Sequence, residues 1–317
     1  MKKRTGKKQS ANEPTDQASV KIINITKKFL RGWPLPALDE DGDKEERGRV
    51  LVVGGAPGMP GAVMLAATAA LRAGAGKLQI ATLESIAQTV AVNVPESRVF
   101  ALPETKAGAI AVAAAGETLK RSNRVEAVLV GPGMIDENAV TRWMKKLIPR
   151  LEHPTLILDA AALAILSTSP AILHSLNGKV IITPHAGEMA NVLGIDKEEV
   201  LEKRSEIARR AAHDLQAVVA LKGAETFIAA PSGEVYRNRT GNIGLATSGS
   251  GDTLSGIIAG LVARGATPIQ AAVWGVYLHG RAGDALAKRM GRLGFLAREL
   301  LAEIPALMAE CEGVKRR

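Results

Sequence analysis

Five short apolar runs constrain what this chain can fold into more than any other feature. Residues 50–53 (VLVV), 127–130 (AVLV), 155–158 (TLIL), 179–182 (KVII) and 218–221 (VVAL) are four residues each. They end in Gly54-Gly55, Gly131-Pro132-Gly133, Asp159, Thr183-Pro184-His185 and Lys222-Gly223. A run this short, with little or no polar alternation, suits a strand buried on both faces. Further strands are expected at 77–81, 99–102, 226–229 and 235–237. Helices are expected at 62–73, 85–92, 110–119, 137–148, after Asp159 through 166, through 193, and at 198–214, 251–263, 268–288 and 295–310. Alternating strands and helices make a three-layer α/β/α fold around a mostly parallel sheet. Such sheets bind ligands beyond the carboxyl ends of their strands. The Gly, Pro, Asp and His residues that follow the runs are therefore expected to converge on one composite site.

The remaining segments are less regular. Residues 1–19 are polar and are expected to be a disordered basic tail. Residues 22–30 suggest a short helix, and 33–47 (WPLPALDEDGDKEER) a connection rich in proline and charge. No repeat or linker interrupts 48–310, so one domain is expected over 20–317. Aromatic residues are only 3% of the 317, while Gly numbers 32 and Ala is abundant. The core must then be built from small aliphatic side chains at close spacing. The single cysteine, Cys311, leaves no internal disulfide and no Cys-based zinc site. No apolar stretch reaches the ~18–20 residues that span a bilayer, and the N-terminus has no apolar signal region. A soluble cytoplasmic protein without a membrane partner is expected. Of the formal net charge of +9, five positive charges (Lys2, Lys3, Arg4, Lys7, Lys8) and three more (Lys315, Arg316, Arg317) sit in the two tails. The body is nearly neutral, and the tails read as solvated ends rather than a nucleic-acid surface.

Four motifs carry the chemistry. Gly54-Gly55-Ala56-Pro57-Gly58-Met59-Pro60-Gly61 is glycine-rich but lacks the spacing of a dinucleotide fingerprint, and no GxxxxGK[ST] phosphate loop occurs. The turn feeds a helix at Ala62, whose free N–H groups favour an anionic or polar ligand. Thr247-Ser248-Gly249-Ser250-Gly251-Asp252-Thr253-Leu254, preceded by Thr240-Gly241-Asn242, is the strongest signal. Gly249 and Gly251 can take positive φ and leave backbone N–H groups uncovered at a helix start, a socket for phosphate. A carboxylate repels phosphate, so Asp252 at that mouth serves as a base on an attacking hydroxyl. The plain alternative is that Ser250 or Asp252 only caps the helix. In Thr183-Pro184-His185-Ala186-Gly187-Glu188, His185 is placed to face the cleft, or to cap the helix with Glu188 on its dipole. Lys222-Gly223-Ala224-Glu225-Thr226 joins two strands, with Lys222 and Thr226 able to meet a phosphate. His279 lies within a helix and reads as structural; His153, His174 and His213 carry no motif. No His/Asp/Glu cluster has transition-metal spacing, which leaves Mg²⁺ held mainly by nucleotide phosphates.

These blocks, in this order, resemble the ADP/ATP-dependent NAD(P)H-hydrate dehydratases, a branch of the ribokinase-like superfamily. The matching segments are GRVLVVGGAPGMPGA, LRAGAGKLQIAT, VLVGPGM, VIITPHAGEMANVLG, ALKGAETFIAAPSGEVYRN, TGNIGLATSGSGDTLSGIIAGLVARG and VYLHGRAGD, from about Arg49 to Asp284. The resemblance implies a substrate, NADH or NADPH hydrated at C6 of the nicotinamide ring (the S epimer), and ADP or ATP as co-substrate with Mg²⁺. The ring hydroxyl is phosphorylated, and phosphate then leaves as the double bond returns. It further implies that Asp252 is the base, with Gly251 and Gly249 in the anion hole. Lys222, Gly223, Ala224, Glu225, Thr226, Gly251 and Asn242 would bind nucleotide, and Ala62, Gly133, His185 and Asp252 the hydrate. A homo-oligomer, a tetramer among the options, is expected. The chain departs from the family at Asp159-Ala160-Ala161-Ala162-Leu163-Ala164, where Asp-Ala-Asp-Ala-Leu-Asn is usual. Ala186 replaces a usual Pro, Ala56 and Met59 stand where Ser and Tyr are common, and Lys44-Glu45-Glu46-Arg47 stands in place of His-Lys-Gly. Two other readings share these residues. One is a small-molecule kinase of the same fold, acting on a hydroxymethylpyrimidine, thiazole or sugar; the other is a weakened nucleotide sensor or nucleic-acid binder using the basic tails.

Overall fold

The structure, a computed structural model, describes residues 21–37 and 47–313. The 1–19 tail, most of the 33–47 connection and the C-terminal basic cluster lie outside the described residues. The described strands are β1 (Ile22–Asn24), β2 (Arg49–Val53), β3 (Lys77–Leu83), β4 (Ser97–Leu102), β5 (Ala127–Val130), β6 (Thr155–Leu158), β7 (Val180–Ile182), β8 (Val218–Leu221), β9 (Thr226–Ala229) and β10 (Val235–Asn238). They form one sheet in the order β1-β10-β9-β8-β7-β6-β5-β2-β3-β4. All neighbouring pairs are parallel except those made by β9, which runs against both β8 and β10. Every residue of β5 to β9 is buried. That is why these strands read as unbroken apolar runs, whereas the edge strand β4 is buried only at Leu102.

The helices are α1 (Lys27–Arg31), α2 (Pro60–Arg72), α3 (Glu84–Asn93), α4 (Ala115–Ser122), α5 (Glu137–Leu147), α6 (Ile165–Thr168), α7 (Ala186–Leu193), α8 (Lys197–Glu202), α9 (Arg204–Leu215), α10 (Ser250–Ala263), α11 (Pro268–Met290) and α12 (Ala297–Glu312). α2, α10, α11 and α12 pack on one another as one layer, and α4 to α9 follow one another in contact as the other. The small-residue core takes a specific form at α10. A Cβ on Gly256 would stand 2.1 Å from the Ala66 carbonyl oxygen, and one on Gly260 would stand 2.3 Å from that of Ala70. The two helices therefore touch backbone to backbone, which only glycine at those two positions permits.

Several expected elements differ. The 22–30 helix is a strand, β1, followed by the single turn α1. Ile22 and Ile23 favour a strand, and a distant partner, β10, supplies its hydrogen bonds. The Thr26 hydroxyl then accepts from the Phe29 amide and starts α1 afresh. The 110–119 helix is a 3₁₀ turn over Val112–Ala114 before α4. The stretch after Asp159 is a 3₁₀ segment, Ala160–Ala164, before the short α6. The 198–214 helix is two, α8 and α9, broken where Lys203 leaves helical geometry at φ −115° and ψ 35°. Among the described residues, no helix is long and apolar enough to cross a membrane.

Candidate active site

The predicted convergence at the carboxyl edge is built by consecutive strands. Asp159 follows β6, Thr183 follows β7 and Lys222 follows β8. Asp159 is almost fully buried and accepts from the Thr183 hydroxyl at 2.8 Å and from Lys222 Nζ at 3.0 Å. Lys222 Nζ also lies 3.8 Å from Glu188 Oε2. A Cβ on Gly251 would stand 3.6 Å from Lys222 Nζ, so the ammonium faces the first turn of α10. Burial alone would lower the Lys222 pKa. The charges of Asp159, Glu188 and Asp252 outweigh it and hold the ammonium above its ordinary value.

Asp252 sits in that first turn, half-buried. Its pKa is pushed up to about 6, first by burial and then by Asp159, against the opposing pull of Lys222. Three carboxylates, Asp159, Glu188 and Asp252, thus act on one lysine. The helix-capping alternative does not hold. The N-cap is Gly249, at φ 85°, and no side chain caps the helix. Gly249 needs glycine, since a Cβ there would also stand 2.5 Å from Leu65 Cδ1. Gly251, in contrast, does not have positive φ. It lies inside the helix, and its use is the uncovered space beside Lys222. The Ser250 amide is taken by the Thr247 carbonyl. Its hydroxyl meets Nε2 of His279 at 3.0 Å. His279 is buried in α11, and burial lowers its pKa to about 4, so the ring is neutral and fastens the start of α10.

His185 does cap a helix. Its Nδ1 accepts from the amides of Gly187 (3.0 Å) and Glu188 (3.1 Å), and Glu188 Oε2 accepts from the His185 amide at 2.7 Å. This reciprocal pair leaves Nδ1 without a proton, so Nε2 carries it, 3.5 Å from Glu188 Oε1. The ring also lines a groove with Met134, Asp136, Ala161, Glu188 and Asn191, so capping and facing the cleft coexist. Gly133, at φ 67°, lies against Ala62: a Cβ on Gly133 would stand 2.8 Å from the Ala62 Cβ. Those two predicted residues meet where the turn after β5 abuts the start of α2.

The turn from Lys222 to Thr226 joins antiparallel β8 and β9, with Gly223 and Ala224 exposed and Thr226 buried. Glu225 is held by Arg239 at 2.7 Å and faces Arg237 at 3.9 Å. Asn242 accepts from the Gly244 amide (3.0 Å) and donates to Asp284 (3.3 Å), fixing the loop that precedes α10. Sequence reasoning missed Asp159 and Glu188 as partners of Lys222, and Ser250 as partner of His279. A signal existed for Asp159 and Lys222: both follow parallel strands at the same edge.

The family model described as NAD(P)H-hydrate dehydratase matches residues 50–306. An ADP-dependent (S)-NAD(P)H-hydrate dehydratase of Xanthomonas campestris pv. campestris is 46% identical over 288 residues, covering 91% of this chain and 96% of that one. The crystal structure of ADP/ATP-dependent NAD(P)H-hydrate dehydratase from Bacillus subtilis, co-crystallised with ATP/Mg²⁺, superposes with a TM-score of 0.75 at 30% identity, covering 92% of this chain and 99% of that one. A ribokinase-like superfamily protein of Enterococcus faecalis superposes with a TM-score of 0.79 at 25% identity, covering 92% and 96%. With a ribokinase-like fold and these matches over most of its length, the chain belongs to the NAD(P)H-hydrate dehydratase family.

Proposed function

We propose that this protein restores NADH and NADPH from the S epimer of their C6 hydrates, consuming ADP and releasing AMP and phosphate. The observation that carries the reading is Asp252: a carboxylate with its pKa pushed up to about 6, at a helix start that no side chain caps, beside the Lys222 ammonium. A base poised near neutral pH next to a phosphate-favouring helix end is what hydroxyl phosphorylation needs.

Asp252 removes the proton of the C6 hydroxyl, and that oxygen forms a bond to the terminal phosphorus of ADP. The bond from that phosphorus to the bridging oxygen breaks, and AMP keeps the electron pair. Phosphate is a far better leaving group than hydroxide. Its departure from C6, with loss of the neighbouring ring proton, regenerates the double bond. Lys222 faces the transferring phosphoryl group without leaving Asp159, and the Gly251 and Asp252 amides receive its developing charge, those of Ser250 and Thr253 being engaged. The turn from Lys222 to Thr226, with Gly251 and Asn242, holds the nucleotide; Ala62, Gly133 and His185 line the hydrate side. Among the described residues, no three His, Cys, Asp or Glu side chains gather as a metal cage. This donor set fits Mg²⁺ bound mainly through the nucleotide phosphates, where it would offset their charge.

Purified protein incubated with hydrated NADH and ADP should restore absorbance in the reduced-nicotinamide band. No recovery with ADP or with ATP refutes the reading. A stable phosphorylated alcohol formed from another substrate would favour a kinase instead.

A further inference from the structure

Arg204 has no counterpart in the roles above, yet it touches the same turn. It is the first residue of α9, whose start meets the carboxyl end of β8. Its guanidinium lies flat on Gly223: a Cβ there would be 2.0 Å from Nη2, 2.3 Å from Nη1 and 2.5 Å from Cζ. Gly223 is therefore glycine for the sake of this contact, not for its backbone angles. The guanidinium also hangs 5.9 Å from the centre of the Phe227 ring.

What Arg204 lacks is an adequate partner. Nη2 reaches the Leu221 carbonyl at a long 3.4 Å, and Nε is buried with no acceptor among the described residues. The nearby acid, Glu225, is already engaged by Arg239 and Arg237. Three guanidinium groups thus face one carboxylate. Arg204 also stands at the positive end of a helix, where a cation is disfavoured. Burial lowers its pKa, and the attraction of Glu225 offsets this only in part. A half-desolvated, under-bonded cation costs stability unless an anion meets it.

We propose that Arg204 binds a phosphate of the nucleotide, completing the site formed by the exposed turn Gly223-Ala224. The planar fork suits phosphate oxygens, and the stack on Gly223 fixes its plane. This deepens the proposed function, resting on its assignment of that turn to the nucleotide, but it is read by binding alone, without the dehydration step.

The test is calorimetric titration of the full chain with ADP, AMP and adenosine, in wild type, R204Q and R204K. R204Q should weaken ADP and AMP by tenfold or more and leave adenosine within twofold. R204K, which keeps the charge but not the fork, should lose three- to tenfold for ADP. The loss should shrink as salt rises, because the lost interaction is ionic. Folding is checked by circular dichroism, and R204K carries the test by itself should R204Q not fold. ADP affinity within twofold of wild type in either variant overturns the proposal. So does an equal loss for adenosine, which would mark a collapsed turn, or a wild type that does not bind ADP. A wild type that binds ADP but restores no NADH would sink the proposed reaction and leave the Arg204 assignment standing.

Discussion

Replacing Asp252 with Asn should kill turnover and, at the same time, make the protein more stable. The folded pKa of about 6 lies above the ordinary 3.8. Between these values the folded state holds a proton that the unfolded chain has released. Stability therefore falls as pH rises from about 4 to about 6, and the cost stays constant above that. At 1.36 kcal/mol per pH unit the gap corresponds to about 3 kcal/mol. Solvent reaching this half-buried side chain reduces it to about 2 kcal/mol. D252N carries no charge and escapes the cost, so it should melt about 4 °C higher than wild type at pH 8. Below pH 4, where both side chains are neutral, the two should melt together. Scanning calorimetry at pH 8 and pH 3.5 measures this directly. Equal melting at pH 8, or a gain that persists at pH 3.5, would show that the carboxylate is not strained by burial and would remove the physical ground for calling it a tuned base.

Other perturbations separate the parts. The dehydration rate at saturating substrate should fall about tenfold per pH unit below about 6, as Asp252 takes up its proton; a flat profile from pH 5 to pH 8 would contradict this. G249A should cost about 1–3 kcal/mol, because the site needs φ 85° and a Cβ meets Leu65, and chemical denaturation reads that loss. G251A should keep its melting temperature, since Lys222 Nζ at 3.6 Å is its nearest neighbour, yet lose ADP-dependent turnover as the methyl group covers the phosphate side; full activity would argue against the socket. K222M should lose about 3–5 kcal/mol by leaving Asp159 buried without its cation. The acid limb of any residual activity should move above that of wild type, because Lys222 holds the Asp252 pKa down.

The buried strands and the convergence of their carboxyl ends were legible because both follow from short-range chemistry. An apolar run such as Val218–Leu221 has few other uses, and the glycines around Ser250 mark a helix start, although only the structure shows that neither Ser250 nor Asp252 caps it. What could not be read depends on residues far apart in the chain. Ile22–Asn24 is a strand only because β10 offers it an edge; Arg237 donates to Asn24 across 213 positions. Lys222 meets Asp159 across 63 positions, because parallel connections bring the ends of β6 and β8, which flank β7, to one edge of the sheet. The break between α8 and α9 has no proline or glycine to mark it, and it puts Arg204 at the start of α9. His185 had two readings that its geometry accommodates together, since the cap uses Nδ1 while the ring still lines the groove.

The glycine contact between α10 and α2 bears on how catalysis is prepared. Interlocked side chains can shift between rotamers and give a helix some play along its axis. Carbonyls resting against Gly256 and Gly260 give none. The orientation of the amides at the far end of α10 is then settled when the chain folds, not renewed at each encounter with a substrate. A single methyl group at either glycine would force α10 off α2 and carry the first turn, with Asp252, out of register with Lys222.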